Sequence, residues 1–342
     1  MKTFPFVQLI ALGLLASAAS HAAPVAVPSY HLLQKVTLGG EGGWDYLTLD
    51  SVTRRLYISR GTHVMVINAD TYKVVGDIPN TDGVHGIALA SGLGRGFTSN
   101  GQANTVTIFD LKTLKALGTA PTGDRPDAIL YEPVTRRVFT FNGGGNSATA
   151  IDAATGKVLA TIPLGGRPEF AASDGRGMVY DNIEDKGEVV AIDAKTLTIK
   201  HRWSIAPLES PSGLAIDSKS RRLFAVCDGR KMAVVSADTG KVVAAPTIGD
   251  GPDAAAFDPG TGLVFSSNGQ DGTLTVIREV TPNSYRVAQT VPTQAGARTL
   301  MLDTKTHRVF LVTAEPGPAA PGTPPWRRSY VPGTFTLLVF GP

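Results

Sequence analysis

The sequence predicts an all-β fold: a seven-bladed β-propeller with four-stranded blades, its ring closed by the N-terminal strand pairing with the last blade. Three observations predict it. Seven self-similar segments recur along the chain, strand-like runs fill each period between turn residues, and the last unit lacks a fourth strand. The segments are Asp45-Tyr-Leu-Thr-Leu-Asp50, His85-Gly-Ile-Ala-Leu-Ala90, Asp127-Ala-Ile-Leu-Tyr-Glu132, Glu169-Phe-Ala-Ala-Ser-Asp174, Ser212-Gly-Leu-Ala-Ile-Asp217, Asp253-Ala-Ala-Ala-Phe-Asp258 and Arg298-Thr-Leu-Met-Leu-Asp303. Their first residues are 40 to 45 positions apart, the length of one four-stranded propeller blade.

Each element has its own signal. Lys2, the apolar run Phe4 to Ala19 and the small residues that follow read as a signal peptide over residues 1–23, with cleavage near Ala22-Ala23 and a periplasmic or secreted mature chain. No second apolar run is long enough to span a membrane, so residues 24–342 form one propeller domain, read as a monomer. Within each unit an Asp-x-x-Thr-x-Arg type turn leads into a second strand, as in Arg137-Val-Phe-Thr-Phe and Arg222-Leu-Phe-Ala-Val. A third strand follows, as in Val189-Val-Ala-Ile-Asp193, and a Thr-Gly-Lys turn introduces a fourth, as in Lys157-Val-Leu-Ala-Thr-Ile. Alternating β-branched residues bounded by Gly, Asn, Asp and Pro give these runs their strand character. The last unit stops after Phe335 to Phe340, and His31 to Leu38 supplies its missing strand.

Composition excludes several classes. The 32 basic and 29 acidic residues leave a net charge of +3, too balanced for binding polyanions by bulk charge. Cys227 is the single cysteine, so no disulfide forms within the chain. Nucleophile-elbow, zinc-protease, haem-attachment and phosphate-loop motifs are absent from the sequence.

Geometry places the candidate site. In an antiparallel blade the first strand starts, and the second ends, on one face, and the first strand borders the channel. Asp45, His85, Asp127, Glu169, Ser212, Asp253 and Arg298 therefore ring the channel mouth. Such a ring suits a divalent metal ion or a cationic ligand, and it equally suits hydrogen bonds that tie blades together. His63 and His85 come from adjacent blades; with Asp45 and Asp127 they form a candidate metal set. Trp44 is placed to stack on a planar ligand or to pack against blade 1. The proline-rich insertion 314–333 in the last blade opens on the same face, where Trp326, Arg327 and Arg328 are candidate ligand contacts. The opposite face collects Arg54-Arg55, Arg136-Arg137, Arg221-Arg222 and Lys305 with Arg308, a weak anionic-partner surface or a set of local ion pairs.

Phe97-Thr-Ser-Asn100, Phe139-Thr-Phe-Asn142 and Phe265-Ser-Ser-Asn268 are close to a Tyr-Val-Thr-Asn tetrapeptide. With Gly123-Asp-Arg-Pro-Asp127 and Ile151-Asp-Ala-Ala-Thr-Gly-Lys157, they make the chain from about residue 30 onward resemble the YVTN-repeat, YncE-like exported propellers. The resemblance implies fold and export, and some members are implied to bind DNA. It carries no catalytic residues. The leading expectation is a non-catalytic periplasmic binding or scaffold propeller that engages a small ligand, metal or protein partner at the channel mouth. The alternatives are a metal-dependent hydrolase, lactonase or lyase using the same ring, and a single-stranded DNA-binding propeller.

Overall fold

The computed structural model describes residues 1–2, 28–318 and 329–342. The signal-peptide reading and Trp326, Arg327 and Arg328 fall outside the described residues. Among these, twenty-eight strands form seven four-stranded antiparallel sheets. The first strands of blades 1 to 7 are Leu47–Asp50, Val84–Ala90, Pro126–Glu132, Pro168–Ser173, Pro211–Asp217, Pro252–Asp258 and Leu300–Asp303. Buried clusters between neighbouring blades hold the ring, one example being Phe139, Ile162, Val179, Ile183 and Val190 between blades 3 and 4. No helix among the described residues is long and apolar enough to cross a membrane.

Closure occurs as the sequence predicts. Strand His31–Thr37 pairs antiparallel with Thr336–Gly341 as the outer strand of blade 7. Tyr30 anchors it. The buried ring meets Phe265 of blade 6 edge-on at 5.0 Å, and the hydroxyl donates to the His307 carbonyl at 2.8 Å. Gln289 holds both backbone groups of Tyr30 through its side-chain amide. Closure by pairing removes the open sheet edges that a linear array would expose.

The repeated tetrapeptide has a physical role. In blade 2 the Thr98 hydroxyl donates to Asn100 Oδ1, and Asn100 Nδ2 donates to Thr107 Oγ1, both at 2.8 Å. Thr140 and Asn142 with Thr149, and Ser266 and Asn268 with Thr275, repeat that link in blades 3 and 6. The motif satisfies buried polar groups between the second and third strands, where leaving them unpaired is costly.

On the face opposite the channel mouth, six of the seven first strands end on or just before a carboxylate that accepts turn N–H groups; blade 2 carries Ala90 there. Asp50 takes those of Val52 and Thr53, and Glu132 those of Val134 and Thr135. The basic turn residues then reach across to neighbouring blades. Arg54 of blade 1 pairs with buried Asp303 of blade 7 at 2.7 Å, and Arg221 of blade 5 with buried Asp174 of blade 4 at 2.8 Å. Arg137 donates to the Ala194 carbonyl of blade 4, and Arg222 to the Pro282 carbonyl of blade 6. Arg54 and Arg221 also pair within their own blades, with Asp70 and Asp238, but the contacts that cross blades make Arg54, Arg137, Arg221 and Arg222 clamps.

Candidate functional site

The ring side chains are aimed by a local irregularity. In blades 2 to 6 the pairing of first and second strands shifts register just after the first residue, between Val84 and Ile87, Pro126 and Ile129, Pro168 and Ala171, Pro211 and Leu214, and Pro252 and Ala254. His85, Asp127, Glu169, Ser212 and Asp253 sit in those bulges. A bulge bends the strand and re-aims a side chain, here toward the channel. The preceding blade fixes the backbone at two of these starts and at the start of blade 7. The Ser99 hydroxyl donates to the Asp127 carbonyl, Asn182 Nδ2 to that of Ser212 at 2.7 Å, and the Ser267 hydroxyl to that of Arg298.

All seven ring residues line one cavity of about 490 Å³, floored by Tyr46, Phe170 and Phe257. The Tyr46 and Phe170 rings stack at 4.9 Å. Sequence reasoning passed over both aromatics because alternation sends neighbours of a channel residue into the blade; in blade 4 the bulge lets Glu169 and Phe170 both face the channel.

Charge around the mouth is uneven. Arg298 bridges two blades, with Nη1 2.7 Å from Asp253 Oδ2 and Nη2 2.9 Å from Asp45 Oδ1. His85 Nδ1 lies 2.6 Å from Asp45 Oδ2 and 3.6 Å from Asp127 Oδ1. Burial works against the charge on Asp45, yet Arg298 and His85 outweigh it and hold the carboxyl below its ordinary range. Burial likewise opposes charge on His85, but Asp45 and Asp127 raise the imidazole above its usual value. Asp127 and Glu169 have no guanidinium or ammonium partner among the described residues. Burial, then Asp45, pushes Asp127 up to about 6, despite the nearby imidazole. Burial, Asp127 and Glu184 push Glu169 up to about 9. Behind Glu169, Asp181 is fully buried with neither carboxyl oxygen hydrogen-bonded, so burial holds it protonated. The register reveals Asp181, which stands where blades 2, 3 and 6 carry Thr98, Thr140 and Ser266.

Asp45, His85 and Asp127 bring one ligand atom each within 4.8 Å of one another, a grouping able to hold a metal ion. His63 does not join them. It sits in the turn just before the third strand of blade 1, two strands out from the channel, and its Nε2 lies 3.7 Å from Asp77 of the fourth strand. Two strand spacings amount to about 10 Å, so adjacency of blades does not bring His63 to His85. Trp44 does not face the channel either. Its indole is buried against Tyr330 at 4.4 Å and Phe335 at 5.4 Å, and only its carbonyl serves the ring, accepting from Arg298 at 3.1 Å. The packing alternative describes it. Cys227 is buried, and burial pushes its thiol up to about 12, which leaves it unreactive at neutral pH.

Solved structures share the fold. The chain is similar to Kuenenia stuttgartiensis hydrazine synthase, with a TM-score of 0.68 and 16% identity over 79% of this chain and 92% of that one. It is similar to the RRP9 WD40 repeats, with a TM-score of 0.74 and 10% identity over 91% and 97%. It is also similar to a chain of the mitotic checkpoint complex, with a TM-score of 0.75 and 14% identity over 98% and 99%. At these identities the likeness shows the fold alone. No curated protein matches the sequence. A family model described as outer membrane protein assembly factor BamB matches residues 102–313, more than half of the chain. With seven closed blades and that match, the chain belongs to the outer membrane protein assembly factor BamB family of propellers.

Proposed function

We propose that this propeller is an extracytoplasmic binding or scaffold protein that takes a cation at its channel mouth. One observation carries the reading: four carboxylates, Asp45, Asp127, Glu169 and Asp253, share a cavity with only Arg298 and His85 as cations. Asp127 has only the imidazole it shares with Asp45, and Glu169 has no cationic partner among the described residues; burial raises both acids, and a bound cation would favour their ionised forms. Asp45, His85 and Asp127 combine carboxylate oxygen with imidazole nitrogen, a donor set that suits zinc or manganese better than calcium. An ion there replaces the proton that His85 Nδ1 shares with Asp45. The family match and the signal-peptide pattern support the extracytoplasmic setting. The tetrapeptides of blades 2, 3 and 6 support a finer kinship with YVTN-repeat propellers.

Hydrolysis assisted by the same ion is the second reading, because Glu169, held protonated at neutral pH, is an acid beside a Lewis-acid site. Single-stranded DNA binding has less support, since basic groups opposite the mouth, including Arg54, Arg137, Arg221 and Arg222, bond to neighbouring blades.

The test is metal analysis of the purified chain, followed by titration with Zn²⁺, Mn²⁺ and spermidine. Stoichiometric binding that Asp127→Asn and Glu169→Gln abolish supports the proposal. Failure of the wild-type chain to bind any of the three ends it.

A further inference from the structure

A second cavity, of about 250 Å³, lies away from the channel between the Gly40–Gly42 turn and the returning arm of the blade 7 insertion. Arg60, Trp44, Tyr330, Pro332 and Phe335 are among its walls. Arg60 occupies the position after the second strand where blades 2, 3 and 6 carry Asn100, Asn142 and Asn268. It is 1% exposed, and among the described residues no carboxylate pairs with it. Its Nη1 donates to the Gly39 carbonyl at 3.1 Å, and its Nη2 to those of Glu41 and Gly42 at 2.8 and 3.1 Å. The guanidinium carbon lies 3.5 Å from the centre of the Phe335 ring. The glycine turn is shaped to this cradle. Gly42 has φ of +94°, and a β-carbon there would fall 2.2 Å from the Arg60 carbonyl, so only glycine fits.

Three carbonyls and a ring face solvate the guanidinium without neutralising it. A buried cation lacking a counter-ion is costly, and its field is weakly screened at such depth. Burial depresses this guanidinium to about 10, whereas Arg54 and Arg221, paired with aspartates, are raised. Two N–H groups of residues that line the cavity, Arg60 Nε and Trp44 Nε1, are buried and donate to nothing among the described residues. Unmet donors and an unbalanced positive charge call for an anionic acceptor. Trp44, Tyr330 and Phe335, with Trp44–Tyr330 centroids 4.4 Å apart, supply aromatic walls. The exposed Glu41 side chain enters no ion pair among the described residues, so the turn does not provide the anion itself.

From this geometry we infer that the cavity is a second binding site, independent of the channel, and that it takes an aromatic carboxylate. The carboxylate sits toward Arg60 and the Trp44 indole, and the ring lies against the outer edge of the packed Trp44, Tyr330 and Phe335 cluster. Tyr330 is half-buried and forms the wall past which the ligand enters.

Calorimetric titration of the full chain with benzoate tests the assignment, with benzyl alcohol as the neutral match and inorganic phosphate as the anion without a ring. The expected result is saturable one-to-one binding of benzoate, at least tenfold tighter than either control. Arg60→Met should abolish the preference over benzyl alcohol, Arg60→Lys should retain it in part, and Trp44→Phe should weaken benzoate about fivefold by removing one donor while keeping the packing. Asp127→Asn, at the channel, should leave benzoate binding unchanged. Should Arg60→Met fail to fold, the Trp44→Phe variant and the benzyl alcohol control carry the test. Equal binding of benzoate and benzyl alcohol, or benzoate binding unchanged in Trp44→Phe, overturns the assignment.

Discussion

The two faces of the ring carry the same kinds of side chain, each at its own repeated position, and they resolve their charges differently. Opposite the channel mouth, the clamping arginines end on a neighbouring blade. Arg54 meets Asp303 and Arg221 meets Asp174, and the aspartates accept turn N–H groups as well. Charge there is consumed in closing the ring. At the mouth, Arg298 and His85 bond to Asp45 and Asp253, while Asp127 has only a 3.6 Å approach from the same imidazole and Glu169 has no cationic partner among the described residues. Balanced charge marks assembly of the fold; surplus charge marks a place prepared for something else.

Breaking the balanced face should cost the most stability. Arg54→Met leaves the fully buried Asp303 carboxylate without its partner, and urea denaturation should show a loss of about 3 kcal/mol with cation binding at the mouth unchanged. The surplus face should behave the opposite way. Asp127→Asn should weaken cation binding by tenfold or more, about 1.4 kcal/mol, with no loss of stability, because it removes repulsion among buried acids.

Glu169 sharpens the contrast through pH. Its folded value of about 9 exceeds its ordinary value of 4.5, so between those limits the folded state holds a proton that the unfolded state has released. Stability from this group is therefore full below 4.5 and falls as pH rises through the window, by about 1.4 kcal/mol per pH unit. Glu169→Gln should flatten that decline, read as the dependence of the urea midpoint on pH. The smallest effects belong to exposed groups. Asp70, half-exposed, shares Arg54 with Asp303, and Asp70→Asn should cost less than about 1 kcal/mol. His63→Ala should leave metal content unchanged, since His63 faces Asp77 away from the ring.

How far the sequence reached follows the same division. The period revealed the blades, the closing strand and the ring positions, because each is a register relation that repeats. His63 and the ligand-stacking alternative for Trp44 failed where proximity along the chain stood in for proximity in space. Trp44 is claimed by Tyr330, an insertion residue that belongs to no repeat, and His63 by a strand too far out. Asp181 and Arg60 are departures from the repeat whose meaning is only burial: one carboxyl without partners, one guanidinium without an acid. A sequence shows that they differ and leaves out what surrounds them.

The central claim, that the mouth is prepared for a cation, is tested most directly by counting protons. Zn²⁺ is titrated calorimetrically at pH 7.5 in two buffers of different ionisation enthalpy. The raised acids predict one bound ion with net proton release, because the ion favours the ionised form of Glu169, which holds its proton at that pH, and release reduced in Glu169→Gln. Binding with no proton release, or binding identical in the wild-type chain and in Asp127→Asn, would contradict it.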